Sequence, residues 1–150
     1  ELTKSFFNGM GDAYANIIGI IISVGVFVAG LKALGLIKAL IAWMLNSTGI
    51  VKIAATFGPF LLALISGSGD AATVAFNEAV TPHAAEFGIS TMNMGSIAAL
   101  GGTLGRTISP IAGATIICAG IAGVDPMEVC KRNALGIVCA LLVGMVLLLF

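Results

Sequence analysis

The chain has 150 residues, of which 59% are hydrophobic and 9% carry a charge, and its formal net charge is zero. A soluble domain carries charge on about a quarter of its residues, so this composition excludes an ordinary soluble domain and predicts an all-α integral membrane protein. The zero net charge argues against nucleic acid as a partner and leaves membrane lipid as the expected surrounding.

The chain begins at Glu1 without an initiator methionine, shows no signal peptide and ends in an apolar run. We therefore expect it to be one part of a longer membrane protein. Its three cysteines, Cys118, Cys130 and Cys139, have neither the number of a disulfide framework nor the spacing of a zinc site. We expect them to be small packing residues, and we expect no metal site and no bound cofactor.

The first part of the chain predicts one spanning helix and one helix at the membrane surface. Residues 15–31 form a largely apolar run, without any charged residue, of nearly the length that crosses a bilayer, and the polar residues 8–12 precede it. In residues 33–46, Lys38 and Trp43 lie among apolar side chains. This pattern is typical of a helix in the interface, with the tryptophan at headgroup depth.

Residues 50–80 predict a re-entrant hairpin, in which two short helices are joined by a polar tip. Gly58 and Pro59 predict a kink in the first helix, and Asp70 is the predicted N-cap of the second helix, residues 71–80. The second helix is too short to span. Lipid cannot satisfy the backbone groups of such a tip, so we expect the tip to be buried in protein or to line a wet cavity.

The last part of the chain predicts a broken spanning helix, 94–121, and a final spanning helix, 126–150. The broken helix has apolar halves, 94–104 and 111–121, which are separated by a break at 105–110. The final helix has a capping-box-like start, formed by Asp125, Pro126 and Glu128.

Two helix breaks at membrane depth are typical of a binding site in a secondary transporter. Half-helix N-termini present N–H groups and a positive dipole end to an anion, and unwound carbonyls can hold a cation. We predict that the two breaks meet and bind a small anion, without any catalytic residue. The candidate substrate-binding residues are Ser66, Gly67, Ser68, Gly69, Asp70, Thr73, Asn77, Arg106, Thr107, Ser109 and Pro110.

Several of these residues have two interpretations. Arg106 is predicted to clamp a carboxylate with two hydrogen bonds, or else to form an ion pair with Asp70 or reach to the interface. Asp70 is a candidate proton carrier as well as a candidate helix cap. Thr73 and Asn77 share one side of the short helix with Asp70, and they could contact substrate or a neighbouring helix.

A different class of function is an intramembrane serine hydrolase with Ser68 as nucleophile and His83 as base. The two residues are separated by the whole short helix, roughly 15 Å along its axis, which argues against this class. A purely structural membrane subunit would not need two polar breaks.

Three stretches resemble the anaerobic dicarboxylate carriers of the DcuC type: SGSGDAATVAFNEAVTPH at 66–83, MNMGSIAALGGTLGRTISPIAGATIICAG at 92–120 and DPMEVCKRN at 125–133. The resemblance implies transport of four-carbon dicarboxylates such as succinate, fumarate and malate across the bacterial inner membrane, by efflux or exchange. Another organic anion is the alternative substrate.

The wider ion transporter superfamily implies two inverted halves, each with a re-entrant hairpin and a broken helix, in a homodimer that works by an elevator motion. The chain would be the C-terminal half, and the N-terminal half of the same transporter would be its partner. The Ser-Asn-Thr tip signature of some superfamily members is replaced here by SGSGDAAT, which leaves H⁺ or Na⁺ open as the coupling ion.

Overall fold

The computed structural model describes residues 1–35, 39 and 48–149, and within these ranges every regular element is a helix. The elements in chain order are α1 (Leu2–Ala33), α2 (Thr48–Ser66), α3 (Gly69–Ala79), a 3₁₀ helix (Thr81–Phe87), α4 (Thr91–Thr107), α5 (Gly113–Ala122) and α6 (Pro126–Leu149). The predicted interfacial helix, 33–46, lies almost entirely outside the described residues.

Among the described helices, α6 is long and apolar enough to cross a membrane. The stretches Ile50–Ser66 and Gly113–Ala122 are apolar but shorter. The predicted span 15–31 lies inside α1, and its crossing of a membrane stays a prediction.

Helix α1 begins at Leu2, well before the predicted span 15–31. The polar residues 8–12 lie within the helix instead of preceding it. They include Gly9 and Gly11 but no proline, and a glycine costs a helix only about 1 kcal/mol relative to alanine. This cost is too small to end a helix that continues into a long apolar run.

Helix α4 is the centre of the packing and contacts α2, α3, the 3₁₀ helix and α6. Its fully buried residues Met94, Ile97 and Ala98 belong to an apolar cluster with Val51 of α2 and Phe76 of α3. Toward the C-terminal end of α4 the apolar side chains give way to glycines on the face that meets α2 and α3. This change brings the helix backbones into direct contact beside the two breaks.

Three glycines of α4 make this close approach possible. A Cβ at Gly101 would lie 2.8 Å from the Thr56 carbonyl oxygen, and a Cβ at Gly105 would overlap the Phe60 carbonyl oxygen. A Cβ at Gly102 would overlap the hydroxyl of Thr73. These glycines therefore lie at a helix interface, where small residues let backbones touch.

Helix α6 begins at Pro126, where the sequence predicts a start, and the Asp125 Oδ1 accepts a hydrogen bond from the Met127 N–H at 2.7 Å. The capping-box part of that prediction is wrong. Glu128 Oε1 accepts a hydrogen bond from Arg132 Nη2 at 2.8 Å instead of reaching back to the cap. An arginine one turn ahead offers a charged partner at the favoured spacing of four residues.

Candidate functional site

The tip between α2 and α3 is capped by a different residue from the one the sequence predicts. Ser68 is the N-cap of α3, with its Oγ accepting from the Ala71 N–H at 3.3 Å, and Asp70 lies exposed in the first turn. Gly67 has a φ of 71°, a left-handed conformation that suits glycine. This turn ends α2 and places Ser68 in the extended conformation of a cap, so the prediction for Asp70 was wrong.

The second break is shorter than predicted and lies closer to the C-terminus. Helix α4 continues through Gly105, Arg106 and Thr107, and the irregular segment is 108–112. Glycines alone did not end the helix. Pro110 did, because a proline disfavours the helical conformation of the residue before it. The prediction that Arg106 and Thr107 lie in the break was therefore wrong, since both belong to the last turn of α4.

The two breaks lie in contact with each other. A Cβ at Gly67 would lie 3.2 Å from Ile111 Cγ1 and 3.3 Å from the Ala112 nitrogen. A Cβ at Gly69 would lie 2.7 Å from the Gly102 carbonyl oxygen and 3.3 Å from the Arg106 Cβ. The tip of the α2–α3 pair therefore packs against the second break, as a shared site requires. Binding of a substrate there stays a prediction.

A cavity of about 320 Å³ lies beside the second break and is formed by α4, α5 and α6. We call it the inner cavity, and its lining residues are Thr103, Arg106, Thr107, Ala114, Thr115, Cys118, Val129 and Asn133. It adjoins the last two turns of α4 and the first turn of α5. Of the predicted site residues, Arg106 and Thr107 line it.

The N-terminus of α5 has free backbone donors beside the inner cavity, which Ala114 and Thr115 line. Its N-cap, Ala112, makes no side-chain hydrogen bond, and the first helical bond runs from the Ile116 N–H to the Ala112 carbonyl. The N–H groups of Gly113, Ala114 and Thr115 therefore have no acceptor within the helix. Together with the helix dipole, they make this end of the cavity favourable for an anion.

Arg106 is the cationic side chain of the inner cavity. The structure shows ion pairs between His83 and Glu86 and between Arg132 and Glu128, and it shows none between Arg106 and Asp70. The guanidinium lies at the C-terminal end of α4, where the free carbonyls of the helix stabilise a positive charge. It is therefore available to a ligand in the cavity.

Two of the three threonine hydroxyls that line the inner cavity already have acceptors. Thr103 donates to the Ala99 carbonyl at 2.9 Å, and Thr107 donates to the Leu104 carbonyl at 2.7 Å. Each would have to leave its helix carbonyl before donating to a carboxylate. Arg106 and the free N–H groups of α5 are consequently the stronger candidates for binding an anion.

The remaining predicted residues do not line the inner cavity. Thr73 donates to the Ala98 carbonyl at 3.4 Å, and Asn77 Oδ1 accepts from the Thr81 hydroxyl at 2.8 Å. These bonds favour the helix-contact interpretation. The Ser109 hydroxyl is fully buried and has no hydrogen-bond partner in the structure. The full set outside the cavity is Ser66, Gly67, Ser68, Gly69, Asp70, Thr73, Asn77, Ser109 and Pro110.

Sequence reasoning missed four polar or sulfur-containing residues of the inner cavity: Thr103, Thr115, Cys118 and Asn133. Thr103 lies three residues before Arg106 and four before Thr107, so helical spacing alone could have found it. The other three come from α5 and α6. Their positions depend on how those helices pack, which no local pattern reports.

The structure does not form a serine–histidine pair. The Ser68 Oγ is engaged with the Ala71 N–H, and the His83 Nδ1 lies 2.8 Å from Glu86 Oε1. Helix α3 stands between them along the chain. Within the described ranges there is also no cluster of His, Cys, Asp and Glu side chains that could hold a metal ion.

Comparison with known proteins shows that one protein family matches the whole chain. The family described as DcuC, C4-dicarboxylate anaerobic carrier, matches residues 1–150. An uncharacterized transporter of Haemophilus influenzae is 56% identical over 95% of this chain and 51% of its own length. The anaerobic C4-dicarboxylate transporter DcuC of Escherichia coli K12 is 34% identical over 93% of this chain and 31% of its own length.

The chain thus spans about half of the first relative and about a third of the second. No solved structure matches it.

Proposed function

The chain belongs to the DcuC family of C4-dicarboxylate anaerobic carriers, and we propose that it forms part of a membrane transporter for four-carbon dicarboxylates such as succinate, fumarate and malate. The family is one of transporters and not of enzymes, so the hydrolase interpretation is wrong. We place the transporter in the bacterial inner membrane, as a multi-pass protein that works by efflux or exchange.

The proposed architecture assigns membrane roles to the helices. In it, α2 and α3 form the re-entrant hairpin, α4 and α5 form the broken helix, and α6 is the final span. The chain is the C-terminal half of the transporter, an N-terminal half supplies the rest of the site, and two copies form a homodimer that moves as an elevator. The greater length of the relatives supports a further part of this kind.

One observation carries the proposal for substrate: the inner cavity joins the Arg106 side chain to the open N-terminus of α5. A guanidinium binds a carboxylate with two parallel hydrogen bonds, and helix N–H groups bind a second oxygen pair without adding a charged side chain. A dicarboxylate has one carboxylate for each. The cavity of about 320 Å³ lies at the small end of the range for ligand sites, which suits a small anion better than a large one.

The coupling ion is proposed to be H⁺ or Na⁺. Asp70 is the candidate proton carrier, because it lies in the first turn of α3 beside the contact between the two breaks. Imposed gradients of each ion across vesicles that contain the full-length transporter will identify the one that drives uptake.

The proposal is tested by counterflow of labelled succinate in vesicles that contain the full-length transporter. Arg106→Ala removes the guanidinium from the cavity and is expected to lower the transport rate at least about tenfold. Arg106→Lys keeps the charge but loses the planar fork, and it should fall between Arg106→Ala and the wild type. The matched control is Lys4→Ala, which removes a positive charge from an exposed position of α1.

Competition identifies the substrate class. Unlabelled fumarate and malate should suppress succinate counterflow, whereas lactate and acetate should not. Suppression by the monocarboxylates would assign the transporter to another organic anion. Wild-type rates in Arg106→Ala would disprove the role of the inner cavity.

A further inference from the structure

A second cavity, of about 230 Å³, adjoins the inner cavity at the start of α6. We call it the outer cavity, and it is lined by Ala122, Val124, Glu128, Val129, Arg132 and Asn133. Val129 and Asn133 line both cavities. These two residues are one helical turn apart, so a single face of α6 forms the boundary between the cavities.

The two cavities follow one another along the groove between α5 and α6. The inner cavity contacts the first turns of α5, at Ala114 and Thr115, and the outer cavity contacts its end, at Ala122 and Val124. Because α6 returns alongside α5 after a short turn, the groove runs from that turn to the second break. The cavities therefore form consecutive positions on one path that leads to Arg106.

The outer cavity lies at the water-facing end of this path. Glu128, Lys131 and Arg132 are clustered in the first turns of α6, ahead of the apolar stretch 134–149. Charged side chains at the end of an apolar helix lie at the membrane surface, because their burial in hydrocarbon is costly. An anion that travels from water to Arg106 along the groove meets Arg132 first.

Arg132 is held by a bond that is easily exchanged. Its Nη2 lies 2.8 Å from Glu128 Oε1, and the two side chains are 75% and 52% exposed. A solvent-exposed pair of this kind contributes little to stability. A carboxylate of the substrate can replace the Glu128 carboxylate without leaving the Nη2 donor of Arg132 unpaired, since the two acceptors are chemically equivalent.

We propose that Arg132 is a capture site for the dicarboxylate at the outer cavity, that Glu128 is the carboxylate which the substrate displaces, and that Asn133 contacts the substrate as it passes to the inner cavity. The Asn133 amide donates hydrogen bonds without a charge, so it binds the anion less tightly than either arginine. This inference rests on the proposed dicarboxylate transport and adds residues to its path.

The test is the concentration dependence of succinate counterflow by the full-length transporter in vesicles. Arg132→Gln is expected to raise KM about fivefold or more while leaving kcat within about twofold, because capture precedes the step at Arg106. Glu128→Gln is expected to lower KM, because it frees Arg132. The matched control is Lys131→Gln: Lys131 is the exposed neighbour with the same charge, and it lines neither cavity.

Three further variants keep the test decisive if Arg132→Gln does not reach the membrane. Arg132→Lys retains the charge without the planar fork, and it should raise KM by a smaller factor. Asn133→Asp places a negative charge where the cavities join and should raise KM, whereas Asn133→Ser, which retains a neutral donor, should change KM much less.

The possible negative results separate the capture site from the proposed transport function. Equal KM changes in Arg132→Gln and Lys131→Gln would show a general attraction by positive charge and would overturn the capture site. A raised KM in Glu128→Gln would show that the ion pair is structural, which would also overturn it. If the wild-type transporter shows no succinate counterflow, the proposed function itself fails, and the capture site fails with it.

Discussion

The contact between α4 and α2 predicts opposite effects of the same substitution at two glycines of one helix. A Cβ at Gly105 would overlap the Phe60 carbonyl oxygen and would lie 2.9 Å from the Phe60 carbonyl carbon and 3.0 Å from its Cα. All three are backbone atoms, so no side-chain rotation can relieve the overlap. A Cβ at Gly95 would instead meet Asn77 Oδ1 at 3.8 Å and Thr81 Cγ2 at 3.9 Å, which are ordinary contacts.

The size of the difference follows from two terms. Both Gly105→Ala and Gly95→Ala gain up to about 1 kcal/mol of helix propensity, and this term cancels when the two variants are compared. Overpacking against a rigid neighbour costs about 1–3 kcal/mol. We therefore expect Gly105→Ala to be less stable than Gly95→Ala by about 1–3 kcal/mol, with Gly95→Ala at or above the wild type.

The assay is the thermal stability of the detergent-solubilised full-length transporter, followed by the loss of its monodisperse size-exclusion peak on heating. The two variants differ from the wild type by the same methyl group in the same helix, so detergent and expression level affect them alike. Equal melting temperatures for both would refute the close contact between α4 and the backbone at Phe60.

Two further stability predictions concern the tip. Gly67→Ala and Gly88→Ala both force alanine into a left-handed conformation, with φ of 71° and 69°. Of the two positions, only Gly67 faces Ile111 and Ala112 within 3.3 Å, so Gly67→Ala should unfold at the lower temperature. Equal melting temperatures of the two variants would contradict the contact between the breaks. Ser68→Ala removes the N-cap of α3 and should lower the free energy of unfolding by about 1 kcal/mol. The control Ser96→Ala, on the exposed face of α4, should lower it little. An unchanged melting temperature for Ser68→Ala would disprove the cap.

Local signals predicted one helix start correctly and left another undecided. The start of α6 at Pro126 follows from the adjacent Asp125 and Pro126, whose preferences need no tertiary contact. The cap of α3 could not be chosen in this way, because Ser68 and Asp70 are both good cap residues. The left-handed turn at Gly67, which packs against the second break, selects Ser68.

The predicted position of the second break was wrong because glycine has two different uses in helices. The sequence suggested that Gly105 belongs to the break, whereas the structure uses Gly105 for the close approach of α4 to Phe60. Glycine has both uses, and only the neighbouring helix distinguishes them. For the same reason Arg106 was predicted to lie in the break, whereas the structure places it in the last turn of α4.

The candidate site was also predicted only in part. The contact between the two breaks was predicted, because both combine glycine and hydroxyl residues at membrane depth. Only Arg106 and Thr107 of the eight residues that line the inner cavity were predicted, because the cavity also needs residues such as Thr115 of α5 and Asn133 of α6. Their neighbourhood depends on the return of α6 along α5, which is a property of the packed helices and is absent from any single segment.

The break between α4 and α5 explains why the site is built from backbone as well as from Arg106. In a continuous helix, the N–H groups of Gly113, Ala114 and Thr115 would donate to carbonyls one turn earlier and would be closed to a ligand. The irregular segment 108–112 removes those acceptors. Lipid offers no replacement, so the open N–H groups need water or an anion as acceptor.

The same break places the C-terminus of α4 beside the N-terminus of α5. The free carbonyls of α4 stabilise the guanidinium of Arg106, which lowers its repulsion with the positive end of α5. The guanidinium and the N-terminal end of α5 can therefore face one cavity without an acidic side chain between them. In the proposed function, a carboxylate in the cavity contacts both groups. We therefore expect Arg106→Lys, which leaves the N–H groups of α5 in place, to retain part of the transport that Arg106→Ala loses.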